Sequence, residues 1–261
     1  MSGGPVDVRA GADEYDASTG RWSGLLAPRF VGWLPTGDGL AWCDVGCGTG
    51  ALARAVLAGA RPTWILGVDP SETFVAAAVR DGVDAVVGTA TAIPAGDAEF
   101  DRVVSGLVLN VVPRPEDALA EMRRVARPGG VVGAYVWDYA EGTGVFRLFW
   151  DAALAVDPAA ADLDERVRFP VCRPDPLRAL FEGAGLTGVV VEPLDLPVEF
   201  GSFDDLWLPF LSGEGAAPRY LATLTGEHRS AVAAQFRRTV PHAPDGSISL
   251  AARAWTVRGV V

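Results

Sequence analysis

Asp44-Val45-Gly46-Cys47-Gly48-Thr49-Gly50 follows the apolar run Leu40-Ala41-Trp42-Cys43 and precedes a helix-like stretch over residues 51–59. The order reads as a strand, a glycine turn and a helix. Alternating glycines let the backbone turn tightly and approach a ligand with no Cβ in the way. The helix start beyond them offers unpaired N–H groups to a polar or anionic group. Nineteen residues after Gly50, Asp69 ends the run Trp64-Ile65-Leu66-Gly67-Val68. A carboxylate there can accept hydrogen bonds from both hydroxyls of a ribose. One nucleoside-containing cofactor across the tips of two parallel strands accounts for both features.

Two cofactor classes use that geometry. Gly46, Gly48 and Ala51 fit the dinucleotide fingerprint G-x-G-x-x-G/A, which leaves a nicotinamide or flavin enzyme open. The chain also has Gly50, and Asp44 stands two residues before the first glycine. That Asp44-x-Gly46-x-Gly48-x-Gly50 pattern resembles motif I of the class I S-adenosylmethionine-dependent methyltransferases, of the small-molecule, methyltransferase-11-like type. The resemblance continues in order through residues 40–138. Val68-Asp69-Pro70-Ser71 is similar to the family's second motif, and Gly88-Thr89-Ala90-Thr91-Ala92-Ile93-Pro94 to its adenine loop. Phe100-Asp101-Arg102-Val103-Val104 through Asn110 is similar to its fourth strand. Ala118-Leu119 through Arg127-Pro128-Gly129-Gly130 is similar to the helix and turn before its fifth.

The resemblance implies S-adenosylmethionine as cofactor. Asp44, Gly46, Cys47 and Gly48 would surround its methionine part, and Asp69, Pro70 and Ser71 its ribose. Thr89 and Ala90 would lie at the adenine, with Ser105, Gly106 and Leu107 at the end of the fourth strand. Many relatives have Asp where this chain has Thr89, so the adenine amine would meet only a hydroxyl or a backbone carbonyl. The segment Tyr15-Asp16-Ala17-Ser18-Thr19-Gly20-Arg21-Trp22-Ser23 resembles an N-terminal lid. Arg21 there could pair with the cofactor carboxylate, and Tyr15 or Trp22 could cover the sulfonium. A surface Arg and a helix-flanking Trp are the plainer reading of the same residues.

Methyl transfer needs alignment and exclusion of water more than acid–base groups. The catalytic candidates are accordingly few. Asp138 follows the fifth strand, where residues face the ligand crevice of a parallel sheet; it is the candidate general base or orienting acid, or else a helix cap. Asn110 is a candidate polar positioning group or a loop cap. His228 is a candidate base from the later helix, or an exposed helix histidine. Phe146, Phe149 and Trp150, and Phe203, Trp207 and Phe210, recur at helical steps. Such stripes pack cores. Should Tyr139, Trp150, Trp207 and Phe210 line a pocket, the acceptor is a mostly apolar or aromatic small molecule.

The chain has 261 residues and a formal charge of −11, and its 22 basic residues include no lysine. An acidic surface argues against nucleic acid and anionic membrane as partners. No apolar run reaches the length of about 18 residues that a membrane span needs, and Met1 to Ala12 is unlike a secretory signal. A cytoplasmic protein, monomeric or homodimeric, is expected. Cys43, Cys47 and Cys172 give no C-x-x-C, and His228 and His242 lack ligand spacing, so no metal site is expected.

Strands are expected near residues 40–45, 63–68, 84–88, 99–106, 130–137, 188–196 and 251–257, and helices near 25–34, 50–59, 71–81, 115–126, 145–156, 176–182 and 225–238. A loop carrying Pro158, Pro170 and Pro174 is expected between the fifth and sixth of those helices. Short apolar strands alternating with helices imply an α/β, doubly wound, Rossmann-like sheet. The resemblance adds seven strands, mostly parallel, with the last reversed, and a helical cap insert. The parts expected are a lid and helix (1–39), the cofactor core (40–138), a C-terminal core half (139–198), the cap insert (199–247) and the last strand (248–261). Methyl transfer to O, N or C of a small acceptor is the implied activity. A cofactor-binding protein without turnover has the same motifs.

Overall fold

The computed structural model describes residues 21–261 except 36, 141, 143, 213 and 214. In order it contains α1 (Arg21–Trp33), β1 (Ala41–Val45), α2 (Ala51–Gly59), β2 (Trp64–Asp69), α3 (Glu72–Arg80), β3 (Ala85–Val87) and β4 (Phe100–Gly106). Then come α4 (Pro115–Val125), β5 (Ala126–Trp137), α5 (Gly144–Val156), a 3-10 turn (Pro158–Leu163), α6 (Glu165–Arg168), α7 (Pro174–Gly183) and β6 (Thr187–Phe200). The chain ends in α8 (Phe203–Ser212), α9 (Ala216–Thr223), α10 (Gly226–Thr239) and β7 (Ile248–Val260).

The strands form one sheet in the order β3-β2-β1-β4-β5-β7-β6, parallel except for the reversed last strand. This is the mixed seven-stranded sheet expected. Strand β1 pairs with β2 from Ala41↔Trp64 to Val45↔Val68 and with β4 from Trp42↔Arg102 to Asp44↔Val104. Every residue of β1 is buried, as a strand covered on both faces must be. Between β4 and β5 the register slips from Phe100↔Ala126 to Arg102↔Val131. The extra residues include Gly129 and Gly130, which exchange backbone hydrogen bonds with Val261.

Two compact units share the chain. The first comprises residues 1–136, Pro174–Glu192 and Thr256–Val261. Its described part is the glycine-turn half of the sheet with its helices. Helix α1 buries Leu26, Ala27, Phe30 and Val31, an i, i+3, i+4 stripe that faces the core, and Leu34 just beyond its end is buried too. Pro28 sits on its exposed face, and the Phe30 ring meets Tyr135 at 4.9 Å. Helix α3 starts where Ser71 accepts from the Phe74 amide at 3.3 Å, with Glu72 in its first turn.

The second unit comprises Trp137–Arg173 and Pro193–Trp255. It is built on aromatic packing. Phe149 stacks on Phe210 with ring centroids 4.6 Å apart and lies edge-on to Phe236 at 5.9 Å; Phe203 stacks on Trp207 at 6.1 Å. The recurrences of Phe and Trp seen in the sequence are thus largely core here: Phe149, Phe203, Phe210 and Phe236 are all buried. The stretch expected as a loop after α5 instead holds the 3-10 turn and α6. Asp157 and Asp164 cap their starts by accepting from the Ala159 and Arg166 amides, so two Asp caps outweigh the prolines.

Candidate active site

The glycine turn hangs on β2. The Gly46 and Cys47 amides both donate to the Val68 carbonyl, at 2.7 and 3.1 Å. The Gly48 amide donates to one oxygen of Asp69 at 2.9 Å, and the Ser71 amide donates to the other at 2.9 Å. Gly46 has φ +75°, and a Cβ there would come within 2.5 Å of Val108, so only glycine fits. The turn therefore spends these three amides internally. What it retains is carbonyl oxygen: among the described residues no backbone amide donates to the Gly46 or Gly48 carbonyl, and the Gly48 carbonyl accepts from the Cys47 thiol at 3.6 Å.

Asp44 lies beneath the turn, 1% exposed, and among the described residues neither of its carboxylate oxygens has a partner at full hydrogen-bond geometry, the Ala53 amide acting on it from farther off. Burial pushes its pKa up to about 7; the Ala53 amide at the start of α2 works against that, and the Asp69 charge adds to it. Cys47 is buried, and a Cβ placed on Gly67 would touch its sulfur at 2.9 Å. Burial raises its thiol far above the reactive range, so the side chain packs the turn against β2.

The ends of the neighbouring strands complete the first unit's candidate set. The Ser105 hydroxyl, buried, donates to the Val45 carbonyl at 2.7 Å and so ties β4 to β1. A Cβ on Gly106 would clash with the Tyr135 hydroxyl. Leu107 adopts φ +61°, a strained conformation for a branched residue, with its amide on the Tyr135 carbonyl. Within the turn that follows, the Asn110 side-chain oxygen is buried with no hydrogen-bond partner among the described residues. Thr89 is exposed, its hydroxyl 3.4 Å from that of Thr91, beside the half-buried Ala90. Pro70 is exposed and Trp22 half-buried. Tyr15 and the Arg21 side chain lie outside what the structure describes.

In the second unit Asp138 is 2% exposed and accepts from the Ala140 and Gly142 amides, at 3.0 and 2.9 Å. It braces the turn after β5, and neither amide belongs to α5, which starts at Gly144. His228 is exposed, and its ring and amide both meet the Thr225 hydroxyl that caps α10. Phe210 is spent on the core, and Trp207 is half-exposed. Tyr139 is 8% exposed and packs on Phe146 and Phe169 at 5.5 and 5.6 Å. Trp150 is buried, and its indole N–H donates to Glu165. Glu165 itself, 5% exposed, went unseen in the sequence, because nothing in a proline-rich loop marks a glutamate as buried. Among the described residues no group of three or more His, Cys, Asp or Glu could hold a metal ion, and no helix is long and apolar enough to cross a membrane.

The first unit thus gathers acceptors, namely Asp69, the turn carbonyls, Asn110 and buried Asp44. Those with no partner suit a ligand rich in donors, and S-adenosylmethionine, with an ammonium, two ribose hydroxyls and an adenine amine, is such a ligand. Sheet order, glycine turn and strand-end carboxylate are similar to those of the class I S-adenosylmethionine-dependent methyltransferases. Residues 43–133 match the family model for the methyltransferase domain, Methyltransf_11. The chain is similar to the ubiquinone/menaquinone biosynthesis C-methyltransferase UbiE of Paracoccus denitrificans, 34% identical over 131 residues that cover 46% of this chain and 52% of that protein. It spans about half the length of the curated relatives it matches first. Its fold is shared with the YcgJ protein of Bacillus subtilis (TM-score 0.57, 16% identity, 92% of this chain and 98% of that one). The fold is shared also with Haemonchus contortus phosphoethanolamine N-methyltransferase 2 solved with S-adenosyl-L-methionine (TM-score 0.58, 15% identity, 96% of this chain and 56% of that one).

Proposed function

We propose that this protein binds S-adenosylmethionine in its first unit and methylates O, N or C of a small, largely apolar or aromatic metabolite in the cytoplasm. The observation that carries the cofactor assignment is the Asp69 carboxylate, which fixes the glycine turn through Gly48 and the start of α3 through Ser71. Each oxygen takes one backbone amide and keeps acceptor capacity for a ribose hydroxyl. The Gly46 and Gly48 carbonyls and the Asn110 side-chain oxygen would receive the ammonium. Thr89 and Ala90 stand at the loop expected to meet the adenine. Bound S-adenosylmethionine supplies an electrophilic methyl group on a positively charged sulfur. The chain's own task is then to align the acceptor and keep water away, which suits a second unit filled with aromatic rings. UbiE and the N-methyltransferase support the reaction class, while their acceptors remain theirs.

The test is a thermal-shift titration of the full chain. S-Adenosylhomocysteine at about 100 times its Kd should stabilise the protein by about 2.7 kcal/mol, and NAD should not. Stabilisation by NAD alone would return the glycine turn to the dinucleotide class. Binding of S-adenosylhomocysteine, with no labelled methyl passed to any acceptor tried, would favour a cofactor-binding protein without turnover.

A further inference from the structure

The chain leaves β4 through a bend that carries two destabilising features. Leu107 holds φ +61°, which crowds its Cβ against the backbone. A little further on, the Asn110 side-chain oxygen is buried with no hydrogen-bond partner among the described residues, and a buried acceptor left unpaired costs stability. Tyr135 on β5 imposes the first of these. Its hydroxyl would lie 2.5 Å from a Cβ on Gly106, and its carbonyl takes the Leu107 amide at 2.8 Å. Tyr135 is itself held fast, being 1% exposed and packed on Phe30 at 4.9 Å.

The strained bend brings Val108 onto the glycine turn. A Cβ on Gly46 would lie 2.5 and 2.9 Å from the two γ-methyls of Val108, a half-buried residue. The Val111 amide closes the bend on the Val108 carbonyl at 2.9 Å, and Leu109, 1% exposed, roots it in the core. On one side of the contact is the Gly46 carbonyl, to which no backbone amide among the described residues donates. On the other, two residues along from Val108, is the Asn110 oxygen. Every one of these residues belongs to the first unit. Packing alone explains a valine resting on a glycine. It does not explain why a strained leucine and an unpaired amide oxygen are kept on the same bend. Backbone strain held in place by its surroundings gathers at ligand sites, and a ligand donor arriving at Asn110 would offset the cost.

We propose that Val108 is a positioning residue for the amino-acid end of the cofactor. Its γ-methyls press on Gly46 and so fix the spacing between the Gly46 carbonyl and the Asn110 oxygen, two of the acceptors proposed for the ammonium. Tyr135 and the left-handed Leu107 hold Val108 in that place. This role rests on the methyltransferase reading. It concerns the amino-acid end of the ligand alone, since the ribose would be held by Asp69.

Calorimetry on the full chain with S-adenosylhomocysteine, and with 5′-methylthioadenosine, which lacks the amino-acid end, tests it. Val108→Ala removes both γ-methyls. It should weaken S-adenosylhomocysteine by about tenfold, the scale of one lost charge-assisted hydrogen bond, and leave 5′-methylthioadenosine within about twofold. The unchanged nucleoside affinity also shows that the fold survives. Val108→Thr keeps the branched shape and should bind both ligands as the wild type does. Equal losses for the two ligands, or no loss, would overturn the positioning role and leave Val108 as plain packing, with the methyltransferase reading intact. A Val108→Thr variant as weak as Val108→Ala would do the same. Should Val108→Ala not fold, Val108→Leu, which lacks the β-branch, is measured in its place with the same expectations. A wild type that does not bind S-adenosylhomocysteine would overturn the methyltransferase reading and this role with it.

Discussion

Asp69 and Gly46 show how differently single residues serve the same turn. Asp69 works through its side chain, with a backbone amide on each oxygen. Replacing it by Ala removes both braces and, on the proposed reading, both ribose acceptors. Calorimetry with S-adenosylhomocysteine should show about 100-fold weaker binding for Asp69→Ala, the worth of two charge-assisted hydrogen bonds. Thr89→Ala, at an exposed hydroxyl, should cost about threefold or less. Equal losses would remove the ribose role from Asp69. Gly46 works by having no side chain. Its φ of +75° and the 2.5 Å approach of Val108 predict that Gly46→Ala loses about 2–4 kcal/mol of stability in urea. Adding Val108→Ala should recover the steric share and leave the conformational one. A Gly46→Ala protein as stable as the wild type would mean the turn can be rebuilt.

Among the elements, α1 is shaped by what it buries rather than by its composition. Gly24, Pro28 and Gly32 are poor helix formers, yet all three lie on the exposed face while Leu26, Phe30 and Leu34 are buried. Tertiary burial holds a helix that propensity alone would leave frayed. A Cβ at Gly24 or Gly32 would meet nothing within 4 Å. Gly24→Ala and Gly32→Ala should therefore each raise stability by about 0.5–1 kcal/mol, read as a shift of the urea midpoint at unchanged slope. A loss in either variant would show that this face is covered. The helices of the second unit follow the same logic. The repeat Phe203, Trp207, Phe210 carries a helical step, but Pro209 interrupts its propensity, and burial of Phe203 and Phe210 decides the helix.

For the molecule as a whole, two buried acids set the pH dependence of stability. Asp44 and Glu165 both have folded pKa values of about 7, against ordinary values of 3.8 and 4.5, because burial disfavours their charged forms. The folded state then binds protons more tightly than the unfolded one. Their contribution is full at low pH and is lost as pH rises through about 4 to about 7. Glu121 and Asp195 run the other way. Hydrogen bonds from Arg124 and Arg253 lower them, and the stability they give is lost only as pH falls below the usual carboxylate range. Stability should accordingly peak near about pH 5 and fall by up to a few kcal/mol towards about pH 8. Urea unfolding at both values checks this. Glu165→Gln should flatten the fall, and a wild type equally stable at both would show that neither acid is held neutral.

The amino-acid order by itself determined the sheet half that carries the glycine turn, because local signals agree there. Apolar strands, turn glycines and the Ser71 cap each act over a few residues, and β1, α2, β2 and α3 fall within two residues of where they were expected. It also placed Asp69 at a strand end, from spacing alone. Only the tertiary structure decided which polar groups are spent and which are left over. It turned the amides of Gly46, Cys47 and Gly48 inward, used Asp138 to brace a turn, sent Phe210 into the core and buried Glu165 against Trp150. Hydrogen-bond satisfaction and burial depend on residues far apart in the chain, such as Gly48 and Asp69 or Trp150 and Glu165. No window of the sequence contains both partners until packing brings them together.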